Sequence, residues 1–521
     1  MKIERTKNAA RNVLFGGLLR VYSMLVPFLM RTVILYQLGV NYLGLDSLFA
    51  SILQVLNLAE LGIGSVMVFS MYKPIAEDNT AAICALMNLY KKVYRIIGLI
   101  ILAVGLAITP FLPSLVHSGV PEGISLYTLY FMNLAATVLS YWLFAYKNSL
   151  LYATQRSDVG HKVHLVLDTL QYGTAILLIF VFHNYYMYLA TKIVFQVVCN
   201  ITISRVVTRM YPDFQAQGEV SKEDKKAIFQ RVRDLFTSTI GGVVTNSADA
   251  IMISAFLGIR DLAIYQNYFF IISSLRATLE IVLSACTAGI GNSLVVETKE
   301  KNFHDFKKLT FIFCWLSGLC CAMLLCLYQP FMELWVGKDL LLTMPVVISF
   351  VIYLYVYEVN RVTNIYKDAA GIWHEDRFRP LTASIVNIIL NALTISRFRF
   401  FGVIFSTVLS VLFVQFPWLM HNLFKLVFPR QYCFSYVKKH GLYAVITAAV
   451  CAVTYGICML LPDQGLVFTL AARFAISLIL SNLLFLAVYF KTDEFQMMLE
   501  VLQRLTKGKL SFLKRLEKKT K

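Results

Sequence analysis

The sequence predicts an all-α polytopic membrane protein, because its composition is too apolar for a soluble globular chain. Hydrophobic residues fill 58% of the 521 positions and charged residues 15%, against about 45–50% apolar and about 25% charged in soluble domains. The apolar residues fall in runs long enough to cross a bilayer as helices, since a span needs roughly 20 such residues. The runs leave no stretch for a sizeable soluble domain.

The spans follow from these apolar runs in chain order, and we expect about 14 of them. They lie near residues 12–37, 43–70, 93–115, 124–146, 163–182, 184–206, 234–257, 261–293, 309–328, 341–360, 380–396, 401–424, 440–461 and 465–490. Only His183 separates 163–182 from 184–206, and both are kept because the charge pattern between spans then alternates correctly.

An internal repeat organises these spans. A shift of 219 residues lays "LGVNYLGL" (38–45) on "LGIRDLAI" (257–264), which suggests two parallel six-helix lobes with a site between them. The predicted parts are an N-terminal lobe, a basic cytoplasmic linker, a C-terminal lobe, two extra C-terminal helices and a basic amphipathic tail: 1–206, 207–233, 234–424, 425–490 and 491–521.

The charges predict the orientation of the chain. Most of the 48 lysines and arginines fall in loops on the side of the N-terminus, and cytoplasmic loops carry such an excess. Both termini are therefore expected in the cytoplasm. The net charge of +18 then reflects topology and anionic headgroups, without a nucleic-acid partner. In the tail, Phe495, Met498, Leu499 and Leu502 share one face, which predicts an interfacial or partner-docking helix.

Cofactor and metal chemistry is not expected. The 10 cysteines form no CxxC pair, so neither disulfides nor zinc are predicted. The stretch "HKVH" (161–164) is a lone pair of histidines in what we expect to be a cytoplasmic loop.

Charged residues inside the predicted spans are the candidate functional residues, because each costs about 3 kcal/mol at mid-membrane unless it faces another polar group or water. They are Arg20, Arg31, Asp46, Glu60, Asp168, Lys192, Asp249, Arg276, Glu280, Glu358 and Arg473.

Helical phase indicates which of these charges share a face. In the first span, Arg20 and Arg31 are eleven residues apart, a net rotation of about 20° on one stripe. In the second span, Asp46 and Glu60 lie on one face. Gly62 comes shortly after Glu60, and a residue as small as glycine allows the backbone of another helix to come close. Glu60 is expected either to pair with Arg20 or Arg31, or to contact substrate or a coupling ion.

Two more spans carry polar faces. The seventh has a stripe that includes Ser238, Asn246 and Asp249. The eighth carries Arg276 and Glu280 at the i,i+4 spacing of a helical ion pair, and a structural pair is the favoured interpretation.

The stretches "PFLMRTVILYQLGVNYLGLDSLFASIL", "LNLAELGIGSVMVFSMYKPIAED" and "GGVVTNSADAIMISAFLG" resemble signature stretches of bacterial polysaccharide flippases. These belong to the superfamily that also holds multidrug exporters and the lipid II flippase. The resemblance implies alternating-access transport of undecaprenyl-pyrophosphate-linked repeat units from the inner to the outer leaflet of the cytoplasmic membrane. It implies a cavity role for Arg31, Glu60 and Asp249, which lie in these stretches, and for Arg20, which precedes the first of them. After "NSAD" this chain has Ala250, where such families often carry a second acidic residue or an asparagine.

The predicted substrate-binding set therefore contains Arg20, Arg31, Glu60, Asn246, Asp249 and Arg276, with Glu60 and Asp249 as ion-coupling candidates. Arg276 is included only because its burial must be compensated. The expected partners are the lipid-linked oligosaccharide, membrane lipids, H⁺ or Na⁺ and other polysaccharide-assembly proteins. The alternatives are a multidrug or cation exporter or a lipid II flippase of the same superfamily, and a membrane glycosyltransferase or polymerase. We do not expect an enzyme, because the outer loops near 116–123 and 329–340 are short.

Overall fold

The computed structural model describes residues 5–462 and 465–505, and within them the chain is helical with no strand. The helices are α1 (Arg5–Gln37), α2 (Val40–Leu56), α3 (Ile63–Ala76), α4 (Thr80–Ile108), α5 (Leu126–Trp142), α6 (Asn148–Ala153), α7 (Ser157–Phe182), α8 (Tyr185–Met210), α9 (Lys222–Leu257), α10 (Ile259–Ser284), α11 (Thr287–Val296), α12 (Lys299–Val336), α13 (Met344–Ala369), α14 (Arg379–Ser410), α15 (Phe416–Leu426), α16 (Cys433–Met459), α17 (Leu466–Tyr489) and α18 (Asp493–Leu505).

The predicted all-α polytopic fold is confirmed. In the described part of the chain, 12 helical stretches are long and apolar enough to cross a membrane. A thirteenth consists of α5 and the helical segment Ala145–Ala153, which meet at a 48° bend. Phe144 lies in this bend with a left-handed φ of 61°.

The stretch Arg379–Leu426 is a helical hairpin of two spans. Its 48 residues are more than twice the roughly 20 that one span needs, and the helix is interrupted at Arg399, where φ is 48°. Asn387 donates to the Thr407 hydroxyl at 2.9 Å, and Ser410 donates to the Ala383 carbonyl at 3.2 Å. These contacts run antiparallel across the interruption, as the predicted spans 380–396 and 401–424 require. With the hairpin counted as two spans, the described residues contain the expected fourteen.

The chain divides into two compact units, Met1–Gln266 and Asn267–Lys521. Helix α9, predicted from sequence to open the second lobe, packs on α2 and α3 within the first unit. It begins at Lys222, so the second half of the predicted linker 207–233 belongs to this helix. The lobe boundaries inferred from the repeat stay predictions.

The first half of that linker contacts α4 through polar groups. Asn88 donates to the carbonyl of Gly218 at 2.7 Å, and Lys92 lies 3.6 Å from the Glu219 carboxylate. The Cys84 thiol lies 3.5 Å from the carbonyl of Asp213. The segment before α9 therefore follows the surface of the first unit.

Helix α12 lies at the centre of the second unit, where it packs on α13, α16 and α17. Near its beginning, the Phe306 ring is fully buried between Tyr366, Phe428 and Tyr436, with ring centroids 4.7, 4.7 and 4.8 Å away. Buried aromatic pairs in such edge-to-face and stacked arrangements stabilise a core beyond the area that they bury.

Helix α18, part of the tail 491–521 that is predicted to form an interfacial or partner-docking helix, packs on the protein body. The Phe495 ring is 2% exposed and stacks on Trp315 of α12 at 5.8 Å. Glu494 is buried beside Lys439 of α16 and forms an ion pair with it. The apolar face that the sequence predicted is thus used for docking within the second unit. Residues 506–521 of the predicted tail lie outside the described residues.

Candidate functional site

The second predicted span is broken at Glu60, and the break sets the position of this carboxylate. Helix α2 ends at Leu56, residues 57–60 form a single 3₁₀ turn, and α3 begins at Ile63. Gly62 between them has a φ of 82°, a conformation that glycine adopts without strain. A Cβ atom at Gly62 would stand 2.8 Å from the Cβ of Leu235 in α9. The close approach of another helix at this glycine is therefore confirmed.

Two tyrosines hold the Glu60 carboxylate. Tyr94 of α4 donates its hydroxyl to Oε1 at 2.5 Å, and Tyr141 of α5 donates to Oε2 at 2.7 Å. Both tyrosines are 7% exposed. The predicted ion pair of Glu60 with Arg20 or Arg31 is wrong in this structure, because the turn at 57–60 removes Glu60 from the helical face that carries Asp46.

Glu60 lies on the wall of a polar cavity of about 670 Å³ inside the first unit. Helices α3, α4, α5, α6, α7 and α8 contribute to the wall. The lining residues are Glu60, Gly64, Ser65, Val68, Tyr72, Tyr90, Tyr94, Ser140, Tyr141, Phe144, Ala145, Asn148, Ser149, Tyr152, His164, Gln196, Asn200 and Ile203. The wall is rich in hydroxyls, amides and aromatic rings, and it offers both donors and acceptors.

Most of these lining residues were not singled out from sequence. The predicted span 93–115 begins after Tyr90, which lies beside Lys91 and Lys92, and hydropathy does not distinguish Tyr94 from other span residues. A usable signal was present in their spacing. Tyr90 and Tyr94 of α4, and likewise Gln196 and Asn200 of α8, recur at i,i+4, which places each pair on one face.

His164 connects the cavity to a second polar group. The histidine lies on the cavity wall, 3.6 Å from Asp168 one turn along α7 and 3.8 Å from the thiol of Cys199 in α8. The sequence placed residues 161–164 in a cytoplasmic loop, and this is corrected, because α7 begins at Ser157. Among the described residues no group of three metal-ligating side chains is found.

Arg31 lies within electrostatic range of a carboxylate from the neighbouring helix. The side chain is partly buried and is attracted by Asp46 of α2, and Asp46 accepts a hydrogen bond from the Tyr185 hydroxyl at 3.1 Å. Arg20, on the same helix α1, is exposed. The two arginines therefore have different surroundings, although the sequence placed them on one cationic stripe.

The polar stripe of α9 lies beside α2 in the first unit. Asn246 is exposed, whereas Asp249 is 8% exposed. Between them, Ser247 donates its hydroxyl to Gln54 of α2 at 3.2 Å. The side chain of Ser238, the first member of the predicted stripe, lies outside the description.

Arg276 of the second unit pairs across helices, not along its own helix. Its guanidinium donates to Tyr353 at 2.6 Å, lies 3.6 Å from Glu358, and covers the Tyr357 ring at 3.4 Å from the centroid. Glu280 pairs instead with Arg361 of α13. The predicted Arg276–Glu280 pair is therefore wrong, because α13 presents the complementary charges to both residues.

Other intramembrane charges also face polar groups, as their cost in lipid requires. Lys192 lies 3.4 Å from the side-chain oxygen of Asn133. Arg473 lies 3.4 Å from the carbonyl of Cys326.

Comparison with known proteins finds the same fold among solved structures. No family model and no curated protein matches the chain. The structure of the lipid II flippase MurJ in an inward closed conformation matches with a TM-score of 0.67 at 14% identity, over 92% of this chain and 99% of that chain.

Two transporters of the MATE family also match. An inward-facing multidrug resistance transporter of the MOP superfamily has a TM-score of 0.60 at 13% identity, over 78% of this chain and 97% of that chain. A variant of the Vibrio cholerae transporter VcmN has a TM-score of 0.53 at 15% identity, over 80% and 97%. The chain is thus a multi-span membrane protein with the fold that these MOP-superfamily transporters and the lipid II flippase share.

Proposed function

We propose that this protein is a flippase for undecaprenyl-pyrophosphate-linked oligosaccharide repeat units in a bacterial cytoplasmic membrane. It moves them from the inner to the outer leaflet by alternating access, for cell-surface polysaccharide synthesis, with both termini in the cytoplasm. The observation that carries the proposal is the polar cavity of about 670 Å³ around Glu60, inside a fold whose match to a lipid II flippase covers 92% of this chain. A glycan that crosses a bilayer needs such a hydrogen-bonding interior, since unpaired polar groups are costly there.

Arg20 is the best candidate for contact with the lipid pyrophosphate. It is exposed on α1 beside the exposed apolar residues Leu18 and Val21. An arginine on an apolar membrane surface costs about 3 kcal/mol, and an anionic lipid group that approaches this surface offsets that cost. The guanidinium can bind a phosphate through two parallel hydrogen bonds.

The remaining substrate candidates differ in suitability. Arg31 is attracted by Asp46, so a phosphate would compete with a carboxylate there. The exposed Asn246 offers an amide for hydrogen bonding, and the buried Asp249 offers a carboxylate for H⁺ or Na⁺ coupling, as does Glu60. Arg276 is the least suited, because Tyr353, Tyr357 and Glu358 already surround its guanidinium.

A multidrug or cation exporter is the second candidate function. The same cavity joins a carboxylate to aromatic rings, including the exposed Tyr72 and Tyr152, and such a combination attracts an organic cation. A lipid II flippase would share the lipid pyrophosphate with our proposal and differ in the glycan.

The test is a comparison of substrates in proteoliposomes of the purified full chain. The probe is an undecaprenyl-pyrophosphoryl oligosaccharide extracted from a strain that lacks the gene and labelled with a reducible fluorophore. We expect the protein to make the fluorophore of both leaflets accessible to external dithionite at least about tenfold faster than empty liposomes do. Ethidium efflux, or flipping of lipid II alone, with no effect on the oligosaccharide lipid would overturn the proposal in favour of an alternative.

A further inference from the structure

We infer that the cavity around Glu60 binds the sugar end of the lipid-linked substrate, and that it selects neutral and amino sugars against uronic acids and against the pyrophosphate. The inference rests on the proposed function, because it assigns one part of that substrate to this cavity. Its basis is the charge, the hydrogen bonding and the aromatic surface of the wall.

The charge of the wall excludes an anionic ligand. No lysine or arginine is among the described residues that line the cavity, and Glu60 is the carboxylate on its wall. His164 is the basic side chain present, and it lies 3.6 Å from Asp168, which compensates any positive charge on the ring. Lys147 does not line the cavity: it contacts the Phe144 ring and donates to the Thr208 hydroxyl at 2.6 Å. A phosphate or a uronate would therefore meet the Glu60 carboxylate with no lysine or arginine among the described residues of the wall to balance it, and like charges repel.

The hydrogen-bonding groups of the wall match sugar hydroxyls. Each Glu60 oxygen accepts one tyrosine hydroxyl, and an ionised carboxylate has about four lone-pair sites in all. Acceptor capacity therefore remains for a hydroxyl, an acetamido N–H or an ammonium group of a ligand. On α8, Gln196 donates to Asn200 at 3.2 Å and Asn200 donates to the Ser140 carbonyl at 3.2 Å, so these amides are held in fixed orientations.

Exposed aromatic rings give the cavity surfaces on which sugar rings can pack. Tyr72, Phe144 and Tyr152 line it with 46%, 41% and 48% of their surface accessible. Partly accessible rings on the cavity wall offer apolar area to the C–H face of a pyranose while its hydroxyls reach the amides. A volume of about 670 Å³ is within the ~300–1,000 Å³ range of small-molecule sites and leaves room for a short glycan.

The experiment is saturation-transfer difference NMR on the purified full chain in detergent. The probes are N-acetylglucosamine, glucosamine, glucuronic acid and inorganic pyrophosphate, the last followed through its ³¹P line width. We expect signal for the first two probes and none for the other two. Signal from glucuronic acid equal to that from N-acetylglucosamine, or no sugar signal at all, would overturn the inference.

Matched variants locate the binding. Tyr152→Ala should reduce the sugar signal at least about fivefold, because it removes an exposed ring of the wall, while Tyr127→Ala should leave it unchanged, because Tyr127 is similarly exposed but does not line the cavity. Glu60→Lys should reverse the preference towards glucuronic acid. If Glu60→Lys does not fold, the Tyr152 and Tyr127 pair decides: equal signals from the two variants would overturn the inference.

Failure of the inference and failure of the proposed function have different signatures. Flipping of undecaprenyl-pyrophosphoryl N-acetylglucosamine and of its glucuronic acid counterpart at equal rates, unaffected by Tyr152→Ala, would contradict the inference and leave the flippase intact. Selective sugar binding without flipping of any lipid-linked glycan would contradict the proposed function. It would still support the inference that the cavity selects neutral and amino sugars against anionic ones.

Discussion

Tyr94 donates a 2.5 Å hydrogen bond to Glu60 and thereby connects α4 to the break between α2 and α3. Tyr141 makes the equivalent bond to the second oxygen at 2.7 Å. A charged residue is tolerated in this apolar run because the chain leaves the helix there and presents the carboxylate to two hydroxyls at a polar cavity. The partners are neutral, so the charge of Glu60 is not consumed by an ion pair.

We therefore expect Glu60→Ala to destabilise the protein more than Glu60→Gln does. Alanine leaves the buried hydroxyls of Tyr94 and Tyr141 without their acceptor, at a cost of about 1–3 kcal/mol for such a group. Glutamine keeps one acceptor oxygen, and its N–H₂ can donate to the oxygen of the other tyrosine, so Glu60→Gln should cost less than Glu60→Ala. Thermal unfolding of the purified variants in detergent measures both, and Glu77→Ala is the control, since Glu77 is in an exposed pair with Lys73.

A Glu60→Gln protein as unstable as Glu60→Ala would show that the fold needs the charge and not the hydrogen bonds. The folded Glu60→Gln variant also isolates the transport role. If Glu60 carries the coupling ion, flipping by this variant should lose its dependence on an imposed ion gradient.

The glycine after the break is expected to be intolerant of a side chain. Gly62→Ala must adopt a φ of 82° and place its Cβ 2.8 Å from Leu235, so we expect a loss of about 1–3 kcal/mol from backbone strain in addition to the clash. Gly173→Ala is the matched control, because it lies in α7 with no heavy atom near an added Cβ. The control should be neutral or stabilise by up to about 1 kcal/mol. Equal melting temperatures for the two variants would refute the role of Gly62.

In the second unit, Arg276 and Glu358 should behave as a buried pair. Their side chains are 17% and 3% exposed, and removal of one partner from such a pair typically costs about 3–5 kcal/mol. We expect Glu358→Gln to lower the melting temperature strongly, and an added Arg276→Gln to restore part of the loss. The exposed pair of Glu297 and Lys301 is the control, for which Glu297→Gln should cost less than about 1 kcal/mol. No recovery in the double variant would mean that Arg276 depends on its tyrosines instead.

The spans and the intramembrane charges were predictable because both follow from local sequence. A run of about 20 apolar residues has few alternatives to a transmembrane helix, and a charge within it must find a polar partner. The interruption at Arg399 was likewise anticipated as the boundary of two spans, since 380–396 and 401–424 are separate apolar runs.

The partners of those charges were not predictable, for two physical reasons. The angle between side chains can be predicted only while a helix continues. The stretch "LGIG" after Glu60 is compatible both with small residues within a helix and with a break at a left-handed glycine. Arg276 and Glu280 are close enough to pair along α10, but Glu358 and Arg361 of α13 offer competing partners. The choice between these partners depends on helix packing, which a single sequence does not reveal.

The predicted orientation can be checked by labelling with a membrane-impermeant maleimide. Glu122 and Glu223 are both exposed acidic residues, one in the loop before α5 and one in the first turn of α9. The charge pattern predicts that Glu122→Cys is labelled from outside intact cells and that Glu223→Cys is labelled only after permeabilisation. The wild-type chain, with its 10 native cysteines, provides the background signal. Labelling of Glu223→Cys in intact cells would invert the assignment of both termini.

Substitution of Arg20 distinguishes a substrate contact from a structural residue most clearly, because the two roles predict different effects on flipping and on stability. It is exposed among exposed apolar neighbours on α1, so Arg20→Ala removes a charge that costs about 3 kcal/mol in lipid and should leave the melting temperature equal or higher. A charge-assisted hydrogen bond contributes about 1.5–3 kcal/mol, so flipping should fall about 10–100-fold. Arg20→Lys should recover only part, because lysine lacks the planar donor fork. Arg205→Ala, which removes another exposed arginine, should flip normally. A stable Arg20→Ala protein with wild-type flipping would exclude Arg20 as the phosphate contact and leave Arg31, with its neighbour Asp46, as the next residue to test.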